Sequence, residues 1–179
     1  TDPTTGGVGD FHDSCVRPLQ NLTEQGNIHH FGLGDKGFGI LHVIGPEQGI
    51  TLPGTTVVCG DSHTCTHGGM GALAWGIGAS ELVHALATQT VMQRKPKRMR
   101  VNFDGHLPEW LSAKDLILHV IGREGAAAGD GYAVEYAGAS IRALGVEARL
   151  TLCNLSIEMG AKVGMIAPDD TIYHYLCGR

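Results

Sequence analysis

The chain has 179 residues, enough for one domain or two small ones with a real core. Its 18 acidic residues outnumber 13 basic ones, and the net charge of −5 argues against a nucleic-acid surface. No apolar run approaches the roughly 18 residues of a membrane span, and the 27 glycines are set among apolar residues rather than in long runs, so they suggest tight turns and close packing, not a linker.

The chain begins at Thr1 without a charged-then-apolar leader and stops at Gly178-Arg179 directly after a helical stretch. It is expected to be a piece of a longer protein, with no targeting signal visible. The five cysteines, Cys15, Cys59, Cys65, Cys153 and Cys177, are odd in number and never form C-x-x-C. Reduced thiols in a cytosol-like compartment are therefore expected, not a disulfide framework.

Taken in order, residues 10–26 are predicted to form a helix with Cys15, Leu19 and Leu22 on one side. Residues 31–37 contain a literal G-x-G-x-x-G. A dinucleotide fingerprint follows a strand and opens a helix, whereas this one precedes the strand-like 39–44, so a turn is expected. Pro46-Glu47-Gln48-Gly49 and Leu52-Pro53-Gly54 read as further turns. Residues 55–58 are an apolar run that reads as a buried strand, ending in Gly60, with Asp61, Ser62 and His63 standing side by side after it.

Glycine-rich 68–71 is expected to lead into a helix over 72–93. Leu73, Ile77, Leu82, Leu86 and Val91 fit helical spacing there, with interruptions near Gly76 and Gly78. The basic run 94–100 has no interleaved aromatic residue and reads as a solvated connector. Pro96 is the candidate boundary between an α/β segment 1–96 and a second, 97–179.

Met99, Val101 and Phe103 alternate as a strand. Ser112 should cap a helix, with Asp115 three residues on as a capping box and Leu116, Ile117, Val120 and Ile121 as its buried stripe. Residues 125–131 read as a loop, 133–136 as a short strand, 147–161 as a helix and 163–166 as a strand. A last helix begins at Asp169 and Asp170. Strands and helices alternate, so the fold class is α/β with a mostly parallel sheet flanked by helices.

An acid, a hydroxyl and an imidazole at the C-terminal end of a strand are a common way for α/β folds to build a pocket. The N–H groups of a following helix start add a preference for anions. The same letters fit a capped turn in which Asp61 and Ser62 only satisfy backbone donors, and spacing leaves both readings open. Cys59, His63, Cys65 and His67 crowd four metal-ligand types into nine residues, against the spacing of zinc sites, so no metal site is expected from these four alone. Asn154 and Glu158 lie four apart and share a face of the 147–161 helix, as part of a site or as a solvent-facing stripe. His42 ends a strand-like run, as Asp61 does. If those strands are neighbours, the carboxylate can meet the imidazole and fix its tautomer; a histidine satisfied in the core is the other reading.

The stretches His42-Val43-Ile44-Gly45-Pro46-Glu47-Gln48-Gly49, Thr51-Leu52-Pro53-Gly54 and Val58-Cys59-Gly60-Asp61-Ser62-His63-Thr64 resemble the aconitase family, in its isopropylmalate branch. Gly71 to Gly78, Ala87-Thr88-Gln89-Thr90 and Leu152-Cys153-Asn154-Leu155-Ser156-Ile157-Glu158-Met159-Gly160-Ala161 continue the resemblance, which covers the chain from about Leu19 onward. Cys65 departs from it, since a small residue such as Ala is expected there.

The resemblance implies an aconitase-like fold and a hydro-lyase of leucine biosynthesis. Such an enzyme interconverts 2-isopropylmalate and 3-isopropylmalate by dehydration and rehydration at a [4Fe–4S] cluster. It implies histidine–carboxylate pairs as catalytic groups, Asp61 with His42 and Glu158 with His63. Ser62 and Asn154 would hydrogen-bond the substrate or the water at the metal. Dehydrating a malate removes a weakly acidic proton and expels hydroxide, and both a Lewis-acidic iron and a positioned acid ease that departure.

The family's cluster cysteines occur in contexts absent from this chain, so the ligands are expected elsewhere and these 179 residues alone are expected to be inactive. A small subunit carrying the family's swivelling domain is the expected partner, and a small dicarboxylate the expected substrate. Nucleic acid and membrane are not expected as partners, and the expected location is cytoplasmic. The alternatives are a sister activity on homoaconitate, citraconate or dimethylmaleate, and a non-catalytic module that binds a carboxylate or a metal.

Overall fold

Residues 17–32 and 34–179 are described by a computed structural model and divide into two units, Thr1–Ile50 and Thr51–Arg179. The first unit contains helix α1 (Arg17–Gln25), which lies inside the predicted 10–26. Leu19 and Leu22 of α1 are exposed and Thr23 is its buried residue; Cys15 lies outside the described residues. The G-x-G-x-x-G stretch is a turn, because the Asp35 carboxylate accepts from the Gly37 N–H at 2.8 Å; its Leu33 also lies outside the described residues.

The strand expected over 39–44 does not form. Residues 41–47 are helix α2 (Leu41–Glu47), so His42 rides in a first helical turn and not at a strand end. The burial explains why: Ile40 and Val43 are exposed while Ile44, Gly45 and Pro46 are buried. That is a three-to-four-residue period, which a short apolar run does not reveal by composition.

In the second unit, β1 (Thr56–Cys59) pairs in parallel with β2 (Leu73–Gly76), Thr56 opposite Leu73 and Cys59 opposite Gly76. Between them runs a 3-10 helix, Ser62–Met70. The glycines at 68–71 therefore lead into a strand, and the single helix expected over 72–93 is split into β2 and α3 (Ala79–Thr88). Gly76 and Gly78 mark that split: the first ends the strand and the second is the N-cap, its N–H bonded to Glu81 Oε2 at 2.8 Å.

A second, three-stranded sheet is wholly parallel, in the order β3 (Lys97–Asn102), β4 (Tyr132–Ala137), β5 (Val163–Ile166). The basic connector thus gives Lys97 and Arg98 to a strand. The boundary expected at Pro96 lies inside the second unit, whose limit with the first is Ile50–Thr51. Helix α4 (Ala113–Glu124) connects β3 to β4 and carries the expected capping box, Ser112 N–H to Asp115 Oδ2 at 2.8 Å. Of its predicted stripe, Ile117 is fully buried, while Leu116, Val120 and Ile121 pack partly exposed against the core.

After the short α5 (Ala139–Arg142) comes α6 (Val146–Asn154), then a 3-10 turn, Ile157–Met159. The predicted 147–161 helix therefore stops at Asn154. The last helix, α7 (Asp170–Leu176), starts at the Asp169 cap as expected.

Ile117, Val134, Tyr136, Ile141, Leu152 and Met159 form the main core between the second sheet and its helices. Each such aliphatic side chain contributes about 1.5–3 kcal/mol by leaving water. At one end of this core the fully buried Arg149 holds both carboxylate oxygens of Asp169 at 2.8 Å and donates to the carbonyls of Leu144 and Arg142. That fork ties α6 to the start of α7. Elsewhere two backbones meet directly: a Cβ on Gly68 would stand 1.7 Å from the Gly164 carbonyl oxygen, so the 3-10 helix can lie against β5 only because position 68 lacks a side chain. Among the described residues no helix is long and apolar enough to cross a membrane.

Candidate active site

The site grows out of the turn after β1. Asp61 caps the 3-10 helix, its Oδ1 accepting from the His63 N–H at 2.7 Å. This is the capped turn that the spacing allowed, and it occupies one of the N–H groups otherwise open to an anion. The 62–70 stretch is not one unbroken 3-10 helix but is interrupted at His63, in keeping with a geometry that usually gives out after three or four residues. Here two hydroxyls reinforce the three-residue period: Thr64 Oγ1 donates to the Asp61 carbonyl at 2.6 Å and Thr66 Oγ1 to the His63 carbonyl at 2.5 Å. A kink at His63 (φ −83°, ψ 15°) turns that residue away from the regular helix.

The imidazole of His63 is engaged on both sides. Nε2 lies 3.2 Å from Glu158 Oε1, and Nδ1 lies 3.2 Å from Ser62 Oγ and 3.8 Å from Asp61 Oδ1. An ionised carboxylate only accepts, so in the neutral ring Nε2 carries the hydrogen and Nδ1 accepts from the Ser62 hydroxyl. The three side chains stay open to solvent, His63 at 35%, Asp61 at 53% and Glu158 at 54% of full exposure. An accessible imidazole with carboxylates on both sides can hold, give up or take back a proton on a ligand placed over it.

Asn154 and Glu158 reach this turn without sharing a helix face. Asn154 ends α6 and its Nδ2 donates to Thr66 Oγ1 at 2.7 Å, while Glu158 comes from the separate turn after it. Asn154 is thus linked through Thr66 to the carbonyl of His63. His42, the remaining candidate, belongs to the first unit and sits in α2.

Three polar pairs escaped the sequence reading. Thr66 holds Asn154. Thr51 Oγ1 meets the Nδ1 of fully buried His67 at 2.8 Å, and Tyr136 meets Ser156 in the core at 2.8 Å. Of these, only Thr66 had a legible signal: it stands three residues after His63, the reach of a hydroxyl back to a 3-10 carbonyl.

The four crowded residues Cys59, His63, Cys65 and His67 make no metal site, and no group of three or more metal-binding side chains occurs among the described residues. Cys65 is buried with its Sγ against the Asn154 carbonyl at 3.4 Å, and burial pushes its thiol up to about 11. Burial raises the Cys153 thiol as well. With Cys59 half-buried and Cys177 exposed, the described cysteines are free and dispersed over separate elements. They do not fit an iron–sulfur cluster, which needs several thiolates around one centre.

The sequence model of the aconitase family (aconitate hydratase) matches residues 10–179. Among curated proteins, the 3-isopropylmalate dehydratase large subunit 1 of Bradyrhizobium diazoefficiens is 62% identical over 161 residues, covering 90% of this chain and 34% of that protein. The chain spans about a third of the length of that relative.

Proposed function

The chain belongs to the aconitase family, and from that premise we propose that the complete protein is a hydro-lyase of leucine biosynthesis. It would interconvert 2-isopropylmalate and 3-isopropylmalate by removing and restoring water. The observation that carries this reading is the solvent-accessible His63–Glu158 pair, Nε2 to Oε1 at 3.2 Å. The relative's name, together with 62% identity, supports isopropylmalate over the sister acids.

In this proposal His63 and Glu158 act as one proton-handling unit. Glu158 accepts from Nε2–H, which fixes the ring's orientation. The imidazole in its protonated form gives its Nδ1 proton to the departing hydroxide, which leaves as water, and takes that proton back on rehydration. Ser62 and Asn154 hydrogen-bond the substrate or the water, Asn154 with the carbonyl end of an amide whose nitrogen already holds Thr66. Asp61 and His42 are proposed as further catalytic groups of the complete enzyme.

The family implies an iron–sulfur cluster. We assign the [4Fe–4S] cluster and its cysteines to the part of the protein beyond these residues, since the cysteines described here do not fit it. The relative is a large subunit by name, and the proposal extends this to a small-subunit partner with a swivelling domain, a dicarboxylate substrate and a cytoplasmic location.

The test is to assay the full-length protein with its small subunit against 2-isopropylmalate, homoaconitate, citraconate and dimethylmaleate. Turnover of 2-isopropylmalate well above the others is expected. A preference for another acid would move the assignment to a sister activity, and no hydration of any of them would overturn it.

A further inference from the structure

Glu158 does not position itself: it rides on a three-residue turn at the surface. Two residues earlier, Ser156 is fully buried and tied in every direction. Its N–H donates to the Cys153 carbonyl at 3.1 Å, and its own carbonyl accepts from the Met159 and Ala161 N–H groups, both at 3.1 Å. Its hydroxyl meets the phenol of Tyr136 at 2.8 Å near the C-terminal end of β4, the middle strand of the sheet. Gly164 on β5 leaves the room for this contact, because a Cβ there would stand 2.0 Å from Ser156 Oγ. The same Gly164 receives the 3-10 helix of His63 through its contact with Gly68. Both halves of the imidazole–carboxylate pair are therefore referenced to one patch of the sheet, His63 by a backbone contact and Glu158 by a hydrogen bond.

We propose that Tyr136 is a positioning residue for the His63–Glu158 pair, holding the Glu158 turn in register with His63 through its hydrogen bond to buried Ser156. The inference rests on the reading of that pair as the proton-handling unit. Tyr136 touches no reacting atom; it acts through Ser156.

The test uses the complete enzyme with its small subunit and loaded cluster, and compares Y136F, S156A, the double variant Y136F/S156A, E158Q and Y136F/E158Q. Y136F is expected to lower kcat about tenfold or more with KM changed less than about twofold, as misplacement of a reacting group does. It is expected to add little further loss once Glu158 is already Gln. The melting temperature separates positioning from mere stability. Y136F leaves a buried hydroxyl unpaired, whereas Y136F/S156A removes both polar groups, so stability recovers in the double variant. Turnover is expected to stay low there.

Recovery of kcat in step with the melting temperature would overturn the proposal. So would wild-type kcat in Y136F, or the same loss from Y136F in both backgrounds. If E158Q itself turned over at the wild-type rate, the reading of the pair would fall first. An impaired E158Q beside a normal Y136F overturns the positioning role alone.

Discussion

His63 and Glu158 are 95 residues apart in the chain, and Nε2 of one lies 3.2 Å from Oε1 of the other. Neither side chain is buried, so no packing requirement brings them together; the turn after β1 and the turn after α6 deliver them to the same place. From this contact follows the first prediction. In the complete enzyme, His63→Ala and Glu158→Gln are each expected to lower kcat by about a hundredfold or more, the usual worth of an acid–base group. Steady-state kinetics alongside an absorbance measurement of cluster content checks it. Near-wild-type turnover with the cluster intact would remove both residues from the mechanism.

The Arg149–Asp169 fork gives a prediction about pH. The hydrogen bonds from Arg149 hold the Asp169 carboxyl below the ordinary carboxylate range. A lowered folded-state value means that the stabilisation is complete above the unfolded carboxylate value of about 3.9 and fades as the pH falls through the lower folded one. Asp169→Asn should therefore lose most near neutral pH and converge on the native protein in acid. Asp169 keeps 37% of its exposure, so the loss is expected near about 3 kcal/mol, the low end for stranding a buried charge. Unfolding curves at pH 7 and pH 3 read it; a difference independent of pH would assign the effect to packing.

Gly68 is expected to tolerate no side chain. Gly68→Ala puts a methyl group into the Gly164 carbonyl, which belongs to a strand and has no rotamer to change. A loss of at least about 3 kcal/mol is expected, at the upper end for overpacking. Gly122→Ala is the control, since a Cβ at Gly122 meets nothing within 4 Å. Equal melting temperatures for the two variants would contradict the close approach of the 3-10 helix to β5.

The thiols should react in an order set by burial. Cys177 is exposed, whereas Cys65 and Cys153 are buried with their thiols held protonated. Mass spectrometry after brief alkylation of the native protein should find Cys177 modified, and Cys65 and Cys153 modified only after unfolding. Alkylation of Cys65 in the native state would mean that its side of the 3-10 helix opens to solvent.

Much was legible in the sequence, and for local reasons. The Ser112–Asp115 box and the Asp169 cap each depend on residues a few positions apart, so their letters carry their geometry; the strand expected to be buried over 55–58 forms at 56–59, but exposed to half-buried. The resemblance in the Asp-Ser-His-Thr stretch singled out His63, and that in the 152–161 stretch singled out Asn154 and Glu158, although the helix supposed to align the last two ends between them. What failed were short apolar runs whose partners are distant. The 39–44 run becomes the start of a helix, Leu41–Glu47, where a strand was expected, and 73–76 are a strand where a helix was expected, because period and length cannot decide over four or six residues. For 73–76, parallel pairing with β1 decided it.

The sequence by itself determined the α/β class, through alternating local patterns and caps, and the chemical types at the site, through the letters themselves. Only the tertiary structure decided which of those groups meet. An imidazole and a carboxylate separated by 95 positions have no local rule to relate them. Their distance is set by a glycine contact between the 3-10 helix and β5, and by a serine anchored to a tyrosine in the middle strand. Such long-range contacts become visible only once the chain has packed.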